Sequence, residues 1–337
     1  MRICATHNDS ILRKRALLND FRAVRIEDDG QTVEIGVVFH VMYRNYDQTR
    51  LKDDITYTLE MLNKDFNKEN ANFDSGKDVY KSKTLKRTYE EYVGLADSCN
   101  VKFRLVEIKY SPVGPQTSSN ISLLDKNIKG PSPAVTPEKH LNIWIAEFSN
   151  GLLGYAQFPW ELKESPTTDG VVIGLDTFGR KPTSAEYNLN KTLTHEIGHW
   201  LGLYHTFQDT FDYEGGHIDY LEGENVQELK GDCVCDTPSQ GKPTYGNPYS
   251  SPSSWPTSKA ADESKRYPHM FMNYMDYSDD IALFMFTRQQ AVKIRQMIYL
   301  YRSGLIQPEE PAVDEDLVQV KRSLELLLKF VTDRLDK

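Results

Sequence analysis

The stretch His195-Glu196-Ile197-Gly198-His199-Trp200-Leu201-Gly202-Leu203-Tyr204-His205 restricts the fold more than any other part of this chain. Two histidines four apart on a helix project from one face, one turn or about 6 Å apart along the axis. That spacing lets both imidazoles bind one Zn2+ ion, with Glu196 beside them as a general base. Were the helix to run on, His205 would lie roughly 15 Å along the axis from His195, too far to share a metal whose ligand bonds are about 2 Å long. Gly202 resolves the conflict, because glycine adopts the left-handed conformation that ends a helix and turns the chain back. His205 can then swing under the metal as a third ligand. A chance match to H-E-x-x-H-x-x-G-x-x-H somewhere in a chain of this length has odds of about one in ten thousand.

At 337 residues, 39% hydrophobic and 26% charged, the chain can form one large globular domain or two. Its net charge of -9 disfavours a nucleic-acid partner. No apolar run of about 18 residues is present to span a membrane. The N-terminal Met1-Arg2-Ile3-Cys4-Ala5-Thr6-His7 carries no apolar segment, so no signal peptide is expected within these residues. Cys4, Cys99, Cys233 and Cys235 are too few for a disulfide-dense scaffold. Cys233 and Cys235, one residue apart, are awkwardly spaced for a mutual bridge.

Residues 1–30 are polar and charged, with Arg13-Lys14-Arg15, Arg22 and Arg25, and read as a surface-lying or cleavable segment. Alternating Val33, Ile35, Val37, Phe39 and Val41 predict a half-buried strand over Thr32–Tyr43. Ile55, Leu59, Leu62 and Phe66 at helical spacing predict a helix over Leu51–Asn70 that packs on the sheet. Val101–Ile108, His140–Phe148 and Gly170–Leu175 read as further strands. Residues 111–137, interrupted by Pro112, Pro115, Pro131, Pro133 and Pro137, read as a mobile surface loop. Asn188–Leu203 is the metal-site helix, with Leu193, Ile197, Trp200 and Leu201 on its apolar side. From 206 to 268 these signals fade among Gly, Pro, Ser and acidic residues. Thr287–Arg302 and Asp314–Leu335 are amphipathic helices. His7, His40, His140, His217 and His269 lack metal-pair spacing and read as structural or surface residues.

The extended histidine motif is the signature of metzincin zinc proteases, which also place a methionine turn beneath the metal. Asn273-Tyr274-Met275-Asp276-Tyr277 has that form and lies downstream, as required. Other stretches resemble the pappalysin branch of metzincins. They are Val37-Val38-Phe39-His40-Val41, Gly151-Leu152-Leu153-Gly154-Tyr155-Ala156-Gln157-Phe158-Pro159, Asp169-Gly170-Val171-Val172-Ile173, Gly202-Leu203-Tyr204-His205-Thr206-Phe207 and Gly231-Asp232-Cys233-Val234-Cys235-Asp236-Thr237-Pro238. The resemblance implies an α/β (α+β) zincin-type fold, with a twisted, mostly parallel sheet over the active-site helix and a loop-rich C-terminal subdomain. It divides the chain into a propeptide-like segment (1–30), an N-terminal catalytic subdomain (31–205), a C-terminal subdomain with the methionine turn (206–304) and a helical extension (305–337).

The resemblance also assigns roles. Zn2+ would be held by His195, His199 and His205, with a fourth position left for water. Glu196 would move the proton, Tyr277 would serve as the tyrosine some metzincins place at the zinc, and Met275 would form an apolar floor. Protein or peptide substrates would lie as an extra strand, along an edge expected at Gly170–Leu175. Asp279 or Asp280 would line the S1′ pocket and favour cleavage before Arg or Lys. Asp232, Asp236 and the Thr237 carbonyl are oxygen ligands of the type Ca2+ prefers. Arg2-Ile3-Cys4-Ala5-Thr6 resembles the R-x-C-G-T stretch of pappalysin propeptides, with Ala5 in place of glycine. That implies a zymogen in which Cys4 takes the zinc's open position until the N-terminal segment is removed. Arg13, Arg22 and Arg25 are the candidate cleavage points.

Two rival readings share the scaffold. One is a binding or adhesion protein without catalysis, which has no need of Glu196 or Tyr277. The other is a self-processing regulatory protease that cleaves a single partner. The leading reading is a secreted or cell-surface zinc endopeptidase, lipid-anchored if at all through a part outside this chain. The sequence sets no oligomeric state.

Overall fold

The computed structural model describes Cys4 and residues 31–44, 47–70, 89–208, 232–238, 240, 242–247, 257–259 and 266–306. The chain divides into two units, Met1–Leu305 and Ile306–Lys337, and every described residue but Ile306 belongs to the first. Arg13, Arg22, Arg25, His7, His217 and the expected helix Asp314–Leu335 lie outside the described residues.

Stiff β-branched side chains favour extended backbone where the chain is Val- and Ile-rich, and such segments, joined by one short Gly-Tyr-Ala strand, form a five-stranded sheet. Its strands are β1 (Val33–Val41), β2 (Val101–Tyr110), β3 (His140–Ala146), β4 (Gly154–Ala156) and β5 (Val171–Gly174). Their order is β2-β1-β3-β5-β4; β4 runs antiparallel to β5, and the other pairs are parallel. The expectation of a half-buried β1 is corrected: every residue of the strand except Glu34 is buried. A parallel strand inside a sheet is covered on both faces, and the covering layer comes from the stretch expected to be a mobile loop. Within 111–137 the chain forms a short helix, α2 (Ile121–Leu124), continued by a π turn over Asp125–Lys129. Leu124, Ile128, Lys129 and Ser132 are buried there. Its prolines hid a packed segment.

A second correction concerns the sheet edge. The expected edge strand is β5, which is hydrogen-bonded on both sides, to β3 and to β4. The edge is β4, a Gly-Tyr-Ala segment too short to show a strand period.

Helix α1 (Gln48–Phe66) starts at Asp47, whose carboxylate accepts from the Thr49 and Arg50 amides. Its buried stripe includes the expected Ile55, Leu59, Leu62 and Phe66, and it packs against β2 and α3 (Lys191–Trp200). Helix α3 is buried along its whole length, against β4 and β5 on the sheet side. A small antiparallel hairpin, β6 (Thr257–Lys259) and β7 (Arg266–Pro268), interrupts the loop-rich region. Helix α4 (Arg288–Tyr301) follows, closed by a reciprocal capping box between Thr287 and Gln290. Just beyond it, the fully buried Arg302 makes a bidentate pair with Asp169, at 2.9 and 2.8 Å, and stacks on Trp200. The start of β5, the end of α3 and the end of α4 are thereby tied together.

Candidate metal centre

Three imidazoles converge beneath β4. Their Nε2 atoms lie 3.1 Å apart between His195 and His199, 3.0 Å between His199 and His205, and 3.2 Å between His195 and His205. The opposite ring nitrogens fix the tautomers. His195 Nδ1 donates to the Tyr274 carbonyl and His199 Nδ1 to the Leu203 carbonyl, both at 2.7 Å. A carbonyl can only accept, so the proton sits on Nδ1 and the Nε2 lone pair points inward. Burial pushes His199 down to about 4, which keeps that ring neutral. Tetrahedral nitrogen ligands about 2.0–2.1 Å from Zn2+ stand roughly 3.3 Å apart. The donor set fits the ion.

The turn that delivers His205 is built as the motif requires. Gly202 adopts φ +88, and the Leu203 amide returns to the Gly198 carbonyl at 2.9 Å. Below the histidines, the Met275 sulfur lies so close to Gly198 that a β-carbon there would stand 2.5 Å from it. Tyr277 packs its ring 5.0 Å from His205 and 5.7 Å from His195, centroid to centroid. Beside it Asp276 is fully buried, accepting from the Thr244 and Tyr277 amides and from Gln240. Burial raises its pKa to about 6.

Glu196 is buried and faces Gly154 on β4, where an added β-carbon would meet Glu196 Cγ at 3.0 Å and the Val172 carbonyl at 2.8 Å. Cys4 reaches this point from the N-terminus. It forms a parallel bridge with Gly154, and its Sγ lies 3.4 Å from Glu196 Oε2. Its sulfur and the ligand nitrogens of His195, His199 and His205 all lie within 4.8 Å of one another. The residues expected as zinc ligands, the expected base and the N-terminal thiol are thus brought together.

The peripheral expectations fare differently. Asp280 is fully buried, and its Oδ2 accepts from the amides of Leu189 (2.8 Å) and Lys191 (3.1 Å). Through that oxygen it closes the start of α3. Asp279 stays partly exposed and directs its amide to the Gly246 carbonyl. The carboxylates of Asp232 and Asp236, two of the expected calcium ligands, are engaged by the protein's own donors. Asp232 accepts from Thr237 Oγ1, the Val234 amide and Gln290, and its carbonyl accepts from the Lys293 ammonium at 2.8 Å. Asp236 accepts from Thr287 Oγ1 and the Gln289 amide at the start of α4. Both carboxylates therefore face donors, and a cation already sits against the loop. His40 is buried between Ser132 and Asn142, and His269 against Thr244, both away from the centre.

Sequence reasoning misses one residue that braces the centre. Asp65, near the end of α1, accepts from Lys191, Thr194 and Tyr274, binding α1, the metal-site helix and the methionine turn to one carboxylate. An acid three residues after Leu62, on the apolar stripe of α1, is the signal that could have found it.

Residues 124–299 match the model of the family Peptidase_M43, described as pregnancy-associated plasma protein-A. The chain is 38% identical over 168 residues to an extracellular metalloprotease of Arthroderma otae, covering 49% of this chain and 53% of that one. It is 35% identical over 167 residues to extracellular metalloprotease 1 of Coccidioides posadasii, covering 49% and 51%. The match thus spans about half the length of these curated relatives. Among solved structures, a promirolysin mutant of Tannerella forsythia superposes with a TM-score of 0.70 at 26% identity, covering 90% of this chain and 97% of that one. Mature mirolysin of the same organism, in complex with a cleaved peptide, gives 0.60 at 28% identity, covering 82% and 99%.

Proposed function

Because the chain belongs to the pappalysin family of metzincin zinc proteases, we propose that it is a zinc-dependent endopeptidase in which Glu196 moves the proton. The observation that carries this reading is the triangle of inward-facing Nε2 atoms, with Glu196 next in sequence to His195 on the same helix. When bound by His195, His199 and His205, Zn2+ supplies Lewis acidity, acidifying water and polarising a carbonyl. Glu196 takes a proton from the attacking water at a carboxylate oxygen and later delivers it to the leaving amine. Tyr277, packed beside His195 and His205, steadies the negative charge that grows on the substrate's carbonyl oxygen.

Peptide substrates pair with β4 as an extra strand, drawing main-chain hydrogen bonds from the edge where Cys4 already bridges Gly154. Cys4 holds the unprocessed chain latent. Its sulfur is the fourth donor of the cluster, and a thiolate there excludes water from the position Glu196 serves. A preference for Arg or Lys after the scissile bond rests on Asp279, since the Asp280 carboxylate is committed to α3. Secretion fits the relatives, which are named as extracellular metalloproteases. The rival reading of a silent binding protein gives Glu196 no task.

Zinc analysis and a quenched-peptide library decide the matter, with the full chain carrying Cys4→Ala as parent. The parent is expected to hold one zinc and cleave, and a second substitution, Glu196→Ala, to keep the zinc and stop cleavage. Equal cleavage by both proteins, or a parent that holds no zinc, overturns the reading.

A further inference from the structure

A buried ammonium on the far face of the sheet has no part in the proposed chemistry. Lys129 lies in the π turn after α2 and is 1% exposed. Taking an ammonium out of water is expensive unless its partners are well placed. Its Nζ lies 2.9 Å from Asp125 Oδ1 and 2.7 Å from the Thr168 carbonyl. It also stands 4.9 Å from the Tyr155 ring centroid and 5.2 Å from that of Trp144. Asp125 and Lys129 stand four residues apart in the π turn, which the Gly130 amide closes on the Asp125 carbonyl at 2.9 Å, so their side chains are neighbours.

The same Asp125 oxygen accepts from the Tyr155 hydroxyl at 3.0 Å. Tyr155 is the middle residue of β4. Gly154, before it, faces Glu196, so the Tyr155 side chain leaves the opposite face of the sheet. There it packs with Leu124, Ile128, Trp144 and Val172. Three residue pairs with β5 are all that the ladder gives β4, and an edge strand so short is weakly held. Lys129 also grips Thr168, whose hydroxyl bonds Gln157 just past β4. One ion pair therefore secures the middle of the edge strand and the segment beside its end.

We propose that Lys129, Asp125 and Tyr155 form a positioning device that holds β4 ready to pair with an extended peptide. The proposal rests on the endopeptidase reading with substrates laid along β4. A pre-ordered edge spares the incoming peptide the cost of ordering it. His195, His199 and Glu196 are carried by α3, His195 and His199 are further held by the Tyr274 and Leu203 carbonyls, and none of these lies on β4. Loss of the device therefore weakens binding of long peptides and leaves the chemical step alone.

The test uses the full chain with Cys4→Ala, so that the edge is open, and compares Tyr155→Phe and Lys129→Met with that parent. Each variant is expected to raise KM for an eight-residue peptide about three- to tenfold, the value of one hydrogen bond, with kcat within about twofold. KM for a substrate too short to cover β4 is expected to stay unchanged. Binding of the eight-residue peptide to the Glu196→Ala protein is expected to weaken by the same factor when Tyr155→Phe is added. Unchanged KM and affinity for the long peptide, or an equal change for both lengths, overturns the positioning role. A parent that cleaves neither substrate overturns the endopeptidase reading instead, and the binding comparison then still decides for or against the device.

Discussion

The Asp280 carboxylate lies 3.1 Å from the amide of Lys191 and closes the first turn of the helix that carries the metal-site histidines. The usual cap is missing there. Asn190 sits in the left-handed region at φ 62, and its side chain is spent on Gly179 and Thr58. A negative charge at a helix N-terminus also complements the helix dipole. Asp280→Ala is expected to lower stability by about 1–2 kcal/mol in urea unfolding, with no change in the residue preferred after the scissile bond. A changed preference at unchanged stability would return Asp280 to the specificity pocket.

In the latency reading Cys4 would compete with water as part of the same chain, which gives it a high local concentration. In the full-length protein, Cys4→Ala is expected to raise the initial rate on a quenched peptide at least about tenfold. The rate must be read before any shortening of the chain, checked by mass. Equal initial rates for the variant and the unprocessed wild type would sink the latency reading.

What was legible in the sequence was local. The apolar stripe of α1, the Val- and Ile-rich strands and the glycine that stops α3 can each be read within a dozen residues, and so could the three histidines that converge. What escaped depends on partners remote in sequence. β4 is a strand only because Val171–Ile173 pairs with it. The packed stretch at 121–132 is hidden by flanking prolines, and its burial follows from a sheet that needs a second cover. Asp280, which the resemblance offers as a pocket residue, serves a helix start 89 residues away. A buried carboxylate such as Asp65 was legible only as a misfit, a polar residue where an apolar one was due.

His40, enclosed by Ser132 and Asn142, is pushed down to about 4 by burial from an ordinary value of 6.5. The folded chain therefore binds this proton more weakly than the unfolded chain does. Its contribution to stability is complete above 6.5 and is lost as the pH falls toward 4. Asp232 and Asp276, raised to about 6 by burial, act in the opposite sense over pH 4 to 6, so the acid limb of the whole protein mixes both. Comparing a variant with the parent at each pH isolates the histidine. His40→Gln is expected to be less destabilising at pH 4.5 than at pH 7 by about 2–3 kcal/mol. Equal destabilisation at both pH values would mean that His40 is not held neutral.

Gly198 lies between the two helical histidines of the cluster, at a position the motif leaves open to any residue. Here the Met275 sulfur fills the space a side chain would take, 2.5 Å from where a β-carbon on Gly198 would stand, with Phe286 at 3.6 Å. Gly198→Ala must then displace the methionine turn or shift α3, and overpacking of this kind costs about 1–3 kcal/mol. Met275→Ala alone opens a cavity beneath the histidines and costs about 2–5 kcal/mol. Because each change relieves the other, the double variant is expected to be less destabilised than the sum of the two by more than about 0.5 kcal/mol. Additivity in a urea-unfolding cycle would show that the methionine turn does not bear on α3 through this contact. Zinc retention followed in the same four proteins is expected to track the stability, since the turn that carries Met275 also fixes His195 through the Tyr274 carbonyl.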